Sequence, residues 1–133
     1  MNNNEKGPLQ NRKERIFFFY KFYLQGADLN KKEELLLELK ENLEKNQIQF
    51  IVKCLEHFDE IETELKKHLP NNWEWSRFNI VEKAIIFNAT SEILIAHNKK
   101  AIIINESIEF AKKYCGKKSQ SLINGIIDKI EVN

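Results

Sequence analysis

The stretch Asn11–Leu24, NRKERIFFFYKFYL, constrains this chain more than any other. It sets Arg12, Lys13 and Arg15 directly before a block of aromatics: Phe17, Phe18, Phe19, Tyr20, Phe22 and Tyr23. Successive helical positions rotate by about 100°, so on a helix those six rings point in every direction. Such a helix has to be covered by others, which places it at the centre of the fold, with Phe18, Phe19 and Phe22 as the expected buried hub. Its basic entrance cannot be buried unpaired and is expected to face solvent or an anionic partner.

The rest of the chain reads as helix. Among 133 residues there are only 4 Gly and 2 Pro, which disfavours turn-rich β folds, and a hydrophobic fraction of 42% supports a folded core. Residues 1–8 are polar and read as a flexible arm; residues 9–133 read as one domain, with an N-terminal half 9–70 and a C-terminal half 71–133 divided near Pro70. Helices are expected at about Leu9–Gln25, closed by Gly26, and at Lys31–Lys45, with Leu35, Leu36, Leu39 and Leu43 as its apolar side. A third, Gln47–Leu69, keeps three- and four-residue apolar spacing throughout. Trp73–Phe78 is an aromatic connector of about one turn. Asn79 is an expected N-cap for a helix reaching Ala96. Ala101–Cys115 opens on the β-branched AIIIN, yet no second strand is available to pair with it, so helix is preferred. Ser119–Ile130 is the last, with Leu122, Ile123, Ile126, Ile127 and Ile130 inward. The expected fold class is all-α, six to seven helices in two packed halves.

Charge narrows function through its distribution. The net charge is +1, so no global field argues for nucleic acid. Residues 1–25 hold five basic residues against two acidic, as do residues 110–133, while residues 31–69 hold seven against ten. Both ends are basic and the middle is acidic, so one basic surface forms if the ends meet. No apolar run reaches the roughly 18–20 residues of a membrane span. Lys21 interrupts the only run resembling a signal peptide, and two cysteines are too few for a disulfide framework. The expected location is the cytoplasm.

Catalytic and metal readings find little support. Cys54 and His57 share a helix face without a second ligand pair, and Cys54 fits the apolar stripe of a core thiol. Cys115 stands at a helix C-terminus, where the dipole disfavours a thiolate. No glycine-rich phosphate loop or serine elbow is present. No metal site, cofactor or catalytic residue is expected. Asn88 and Glu92 fall on one line with Val81 and Ile85, and a glutamate on an apolar line is at an edge or paired; a buried hydrogen-bond node is expected, with Asn105 or Asn124 as partner. The basic, aromatic first helix and the lysines at 112–118 are then either ordinary solvated charge or an RNA surface, on which Arg and Lys hold phosphates and an exposed ring stacks a base. Composition leaves both open.

Three runs carry a resemblance. WEWSRFNIVEKAI from Trp73 is similar to a pattern W-x-(apolar)-x-R-(apolar)-x-x-V-(D/E)-(R/K)-A-I. INESIEFAKKYCGKKSQSLINGIIDKI resembles INEA(V/I)ELAK(x)FG(xxx)S(xx)(F)VNG(V/I)LDKI. RKERIFFFYKFY resembles an arginine-rich first helix ending in Leu-Tyr. Together they resemble the NusB family of transcription antitermination factors, over nearly the whole chain and most strongly from Trp73 onward.

The resemblance implies an all-helical, two-subdomain, non-enzymatic protein. It would bind the small-subunit ribosomal protein also called NusE and, with it, boxA-type RNA, so that the transcription elongation complex reads through terminators in rRNA operons. It implies RNA-binding roles for Arg12, Lys13, Arg15, Tyr23, Lys117, Lys118 and Ser119. It also implies partner-protein-binding roles for Tyr23, Arg77 and Glu82, and packing roles for Asn105, Glu106, Asn124 and Gly125, the glycine allowing a close helix approach. The lysine-rich entrance to the last helix should then lie beside the first helix. Departures stand at Ile16 for Glu, Phe87 for Arg, Ser91 for Tyr, Cys115 for Gly, Lys118 for an acid and Leu122 for Phe. The missing Phe at 122 motivates the alternative of a protein-only adaptor; because similar helical domains occur fused to rRNA methyltransferases, the resemblance also implies the alternative of a detached RNA-binding module assisting rRNA maturation. Family members occur as monomers and dimers, and a homodimer could cover the RNA surface.

Overall fold

The computed structural model describes residues 7–40 and 43–131 and is helical throughout, with no strand among them. Its seven α-helices are α1 (Pro8–Leu24), α2 (Lys32–Leu39), α3 (Lys45–Glu56), α4 (Phe58–Lys66), α5 (Ile80–Ser91), α6 (Lys100–Tyr114) and α7 (Lys117–Lys129). Residues 1–6 of the expected arm lie outside the described residues. Pro8 is not in an arm: it opens α1, where its fixed φ suits the first turn and its missing N–H costs nothing.

The centre of the molecule is the packing of α1 on α5. Phe18, Phe19 and Phe22 are at most 1% exposed, as the aromatic block predicts. Burial of each contributes roughly 1.5–3 kcal/mol. Phe19 meets Phe87 edge-on at 4.8 Å, Phe22 meets Phe58 at 5.4 Å, and Phe58 meets Phe87 at 5.2 Å. Every residue from Ala84 to Ile93 is buried, so α5, clasped by α1, α4, α6 and α7, is at least as central as the helix the sequence singled out.

Local chemistry explains most helix ends. Gly26, at φ +87°, follows α1, and the amide of Ala27 donates to the Phe22 carbonyl at 2.9 Å. Asn79 caps α5 in a reciprocal capping box with Glu82. The AIIIN segment is helical, with Ile103, Ser107, Phe110 and Ala111 facing inward. Trp75–Arg77 is a single 3-10 turn in the aromatic connector.

Two expected helices differ. The run Gln47–Leu69 breaks at His57 (φ −107°, ψ 24°) into α3 and α4; the bend turns Phe58 onto Phe22 and Phe87 while apolar spacing continues on both sides, so periodicity alone does not reveal it. The run Lys31–Lys45 is helical only to Leu39 after a 3-10 turn at Leu29–Lys31. Residues 41–42 and the side chain of residue 39 lie outside the description, and Glu44 is extended as the N-cap of α3. The segment after α5 continues to Ala96, as expected, but as a π-helical turn over Glu92–Ala96, closed by His97 in the left-handed conformation (φ 54°, ψ 34°). Gly125 is exposed and a methyl group there would meet nothing within 4 Å, so it admits no close helix neighbour. No helix among the described residues is long and apolar enough to cross a membrane.

Candidate nucleic-acid interface

The basic entrance of α1 divides by helical angle. Arg12 and Arg15, three positions apart, share the face that meets α5 and are 3% and 7% exposed. Arg12 forks onto Glu92, Nε donating to Oε2 at 2.6 Å and Nη2 to Oε1 at 2.5 Å, and its Nη1 donates to Glu106 on α6. Arg15 donates to Asn88 Oδ1 at 3.1 Å and Gln47 Oε1 at 2.8 Å, and its Nη2 stands 3.2 Å from Glu92 Oε2. Asn88 and Asn98 each donate a further 2.8 Å bond to Glu92. Burial would raise the Glu92 carboxyl, but the hydrogen bond from Arg12 and the charges of both arginines outweigh it and hold it below the usual carboxylate range.

This corrects two expectations. As expected the arginines are not buried unpaired, but what they face is neither solvent nor an outside partner: Glu92 and Glu106 neutralise the guanidinium groups inside the fold, so Arg12 and Arg15 form no exposed patch with Lys117 and Lys118. The node at Asn88 and Glu92 is present, but its partners are Arg12, Arg15 and Asn98; Asn105 and Asn124 are exposed. Cys54 lies buried nearby, its thiol pushed up to about 12 chiefly by burial, as suits a core thiol.

Other expected site residues are also held internally. Tyr23 is buried and donates to Glu62 Oε2 at 2.7 Å, which also accepts from Trp75 Nε1 at 3.0 Å. Burial first, and the Glu62 carboxylate second, raise its phenol above the ordinary range. Glu82, 8% exposed, accepts from the Asn79 amide through Oε1 and from Ser119 Oγ at 2.5 Å through Oε2. Glu82 and Ser119 thus pin the entrance of α7 to the start of α5. Arg77, Lys117 and Lys118 are exposed, and Lys13 is half-buried.

The surface beside α1 is built by another element than the one expected. Lys13, one position on from Arg12, faces α6. There Leu9, Gln10, Lys13, Glu109, Phe110, Lys112, Lys113 and Tyr114 line a cleft of about 470 Å³. Phe110 and Tyr114 also line a second cleft of about 260 Å³, with Ile16, Phe17, Tyr20, Val81 and Ala84. Phe17 is 44% and Tyr114 42% exposed, their rings edge-on at 6.2 Å. The lysines brought to α1 are therefore Lys112 and Lys113 at the end of α6, which the basic count of the C-terminal tail included without distinguishing them from Lys117 and Lys118. Phe17, Tyr20 and Tyr114 were missed as surface residues; the spacing Lys13, Phe17, Tyr20 is the one signal that marks them as a stripe apart from Arg12, Arg15, Phe19 and Phe22.

Comparison with known proteins agrees with this architecture. The profile of the NusB family matches residues 10–132. The transcription antitermination protein NusB of Wolinella succinogenes is 31% identical over 123 residues, 90% of each chain. That of a Nitratiruptor species is 33% identical over 125 residues, 91% of this chain and 88% of the other. The Sulfurovum protein of the same name is 41% identical over 76 residues, where this chain spans only 58% of its length. A solved structure of T. maritima NusB shares the fold, with a TM-score of 0.76 at 24% identity over 95% of this chain and 92% of that one. On the family match and these relatives, this chain belongs to the NusB family.

Proposed function

We propose that this protein is a non-catalytic, RNA-binding antitermination factor that pairs with the ribosomal protein NusE, binds boxA-type RNA and promotes read-through in rRNA operons. The observation that carries the RNA part is the α1–α6 seam, where Lys13, Lys112 and Lys113 line one cleft with exposed Tyr114, and exposed Phe17 lines a second cleft that shares Tyr114. Cations there hold phosphates and rings meet bases, the usual division of labour on single strands. Lys117 and Lys118 extend the phosphate contacts. Arg12 and Arg15 act from beneath, fixing α1 against α5 and α6. Tyr23, Glu82 and Ser119 set the shape of the partner-facing end, where Arg77 and Trp73 are exposed.

The test is binding of boxA RNA and a scrambled RNA, each with and without NusE. The expected result is weak, salt-sensitive binding alone and tighter, boxA-selective binding with the partner. Equal binding of both RNAs in the presence of NusE overturns the specific reading. The internal pairing of both arginines favours a second reading, a protein-only adaptor; NusE capture with no effect of RNA at any salt concentration would establish it.

A further inference from the structure

The seam between α1 and α6 has two unlike ends. One carries Lys13, Lys112 and Lys113 beside Glu109, whose Oε1 accepts from Lys112 Nζ at 3.2 Å. The other is walled by Ile16, Phe17, Tyr20, Val81 and Phe110, with small Ala84 at the α5 side. Phe110 and Tyr114 belong to both. We propose that the apolar end is a slot for one unpaired nucleobase whose own backbone runs over the three lysines; this deepens the RNA-binding reading above and rests on it.

Three observations favour a base over other occupants. First, Phe17 and Tyr114 are about two-fifths exposed while their neighbours Ile16, Phe18 and Phe19 are at most 4% exposed. Second, the slot measures about 260 Å³, below the roughly 300–1,000 Å³ usual for drug-sized ligands and suited to one planar ring system rather than a helix. Third, the lysines give the groove a sign. With Lys112 paired to Glu109, Lys13 and Lys113 leave a surplus of positive charge at one end; an apolar peptide has no need of it, whereas a base arrives attached to a phosphate on either side. Lys113 Nζ stands 5.5 Å from the centre of the Tyr114 ring. A base stacking there displaces only a flexible ammonium, toward its own phosphate.

The full-length chain is titrated with a labelled single-stranded ten-nucleotide oligoadenylate and with an abasic ribose-phosphate strand of equal length, over a range of salt. Wild type should prefer the base-bearing strand by about tenfold, the scale of one stacked base. F17L, which keeps the packing but removes the ring, and Y114A should abolish that preference and leave the salt slope unchanged. The triple variant K13A/K112A/K113A should keep the preference and lose about 0.7 from the slope per lysine. Circular dichroism confirms that each variant is folded. If F17L and Y114A retain the preference, the slot is overturned while the RNA-binding reading stands. If neither strand binds wild type, both are overturned. If the variants change sedimentation from dimer to monomer and leave RNA affinity intact, the cleft is a self-association surface and the slot is overturned.

Discussion

Arg12 and Lys13 are adjacent in sequence and opposite in fate. Arg12 is 3% exposed and tied to two glutamates; Lys13 borders an open cleft. The same contrast runs along all of α1. Arg12, Arg15, Phe19 and Phe22 form the stripe against α5, and Lys13, Phe17 and Tyr20 the stripe against α6 and solvent. One helix therefore carries both the hub of the fold and the candidate working surface, separated by the rotation of about 100° per residue. Positive charge in this segment is not one property: a guanidinium with a carboxylate waiting for it is structure, and an ammonium without one is available for a ligand.

Substitution of Arg12 should break this contrast most sharply. Arg12→Ala leaves Glu92 and Glu106 short of their partner in a buried site and should cost about 3–5 kcal/mol, read as a lowered urea midpoint. Lys13→Ala should change stability by no more than about 0.5 kcal/mol. Equal effects would mean that the internal network does not hold in solution.

A smaller effect is expected from acid. The Glu92 pKa is depressed in the folded state, so its contribution to stability is present above the ordinary value of 4.5 and is lost as pH falls below it toward the folded pKa. Glu92→Gln should be less stable than wild type at neutral pH, and the gap should narrow in that acid window. Parallel pH curves for the two proteins would count against a charged Glu92. In alkali the sign reverses for Tyr23, whose folded pKa is raised: its contribution holds below about 10 and fades above it. Tyr23→Phe should therefore lose less stability than wild type between neutral pH and pH above 10.

The smallest effect belongs to the pin between α5 and α7. Ser119→Ala removes one bond to Glu82 and should cost about 1 kcal/mol. Because Glu82 keeps its capping-box bonds, amide exchange should rise at the first turn of α7 and not in α5. Equal acceleration in both helices would show that Ser119 supports α5 as well.

Helices, caps and hub were legible because they rest on local rules. The helical reading of AIIIN, the cap at Asn79, the stop at Gly26 and the burial of Phe18, Phe19 and Phe22 all follow from residue type and spacing. Glu92 was legible as an anomaly, a charge on an apolar line, but not its partners, which lie 80 positions away at Arg12 and 77 away at Arg15. The resemblance pointed to Arg12, Arg15, Tyr23, Glu82 and Ser119 for function, whereas their side chains are engaged inside the fold. Phe17 and Tyr114 were hidden for the opposite reason: on an aromatic-rich helix an exposed ring looks like another core residue until its neighbours are in place.

By itself, then, the sequence determined that this chain is a set of helices packed around an aromatic segment, because periodicity and capping act over four residues or fewer. Only the tertiary structure decided which charges are spent inside and which face out. Burying a charge is tolerable only where a counter-charge is delivered to it, and here α5 and α6 deliver Glu92 and Glu106 to the arginines of α1. The same packing sets Lys112, Lys113 and Tyr114 beside Lys13 and Phe17, a juxtaposition of residues about a hundred positions apart that no local pattern encodes.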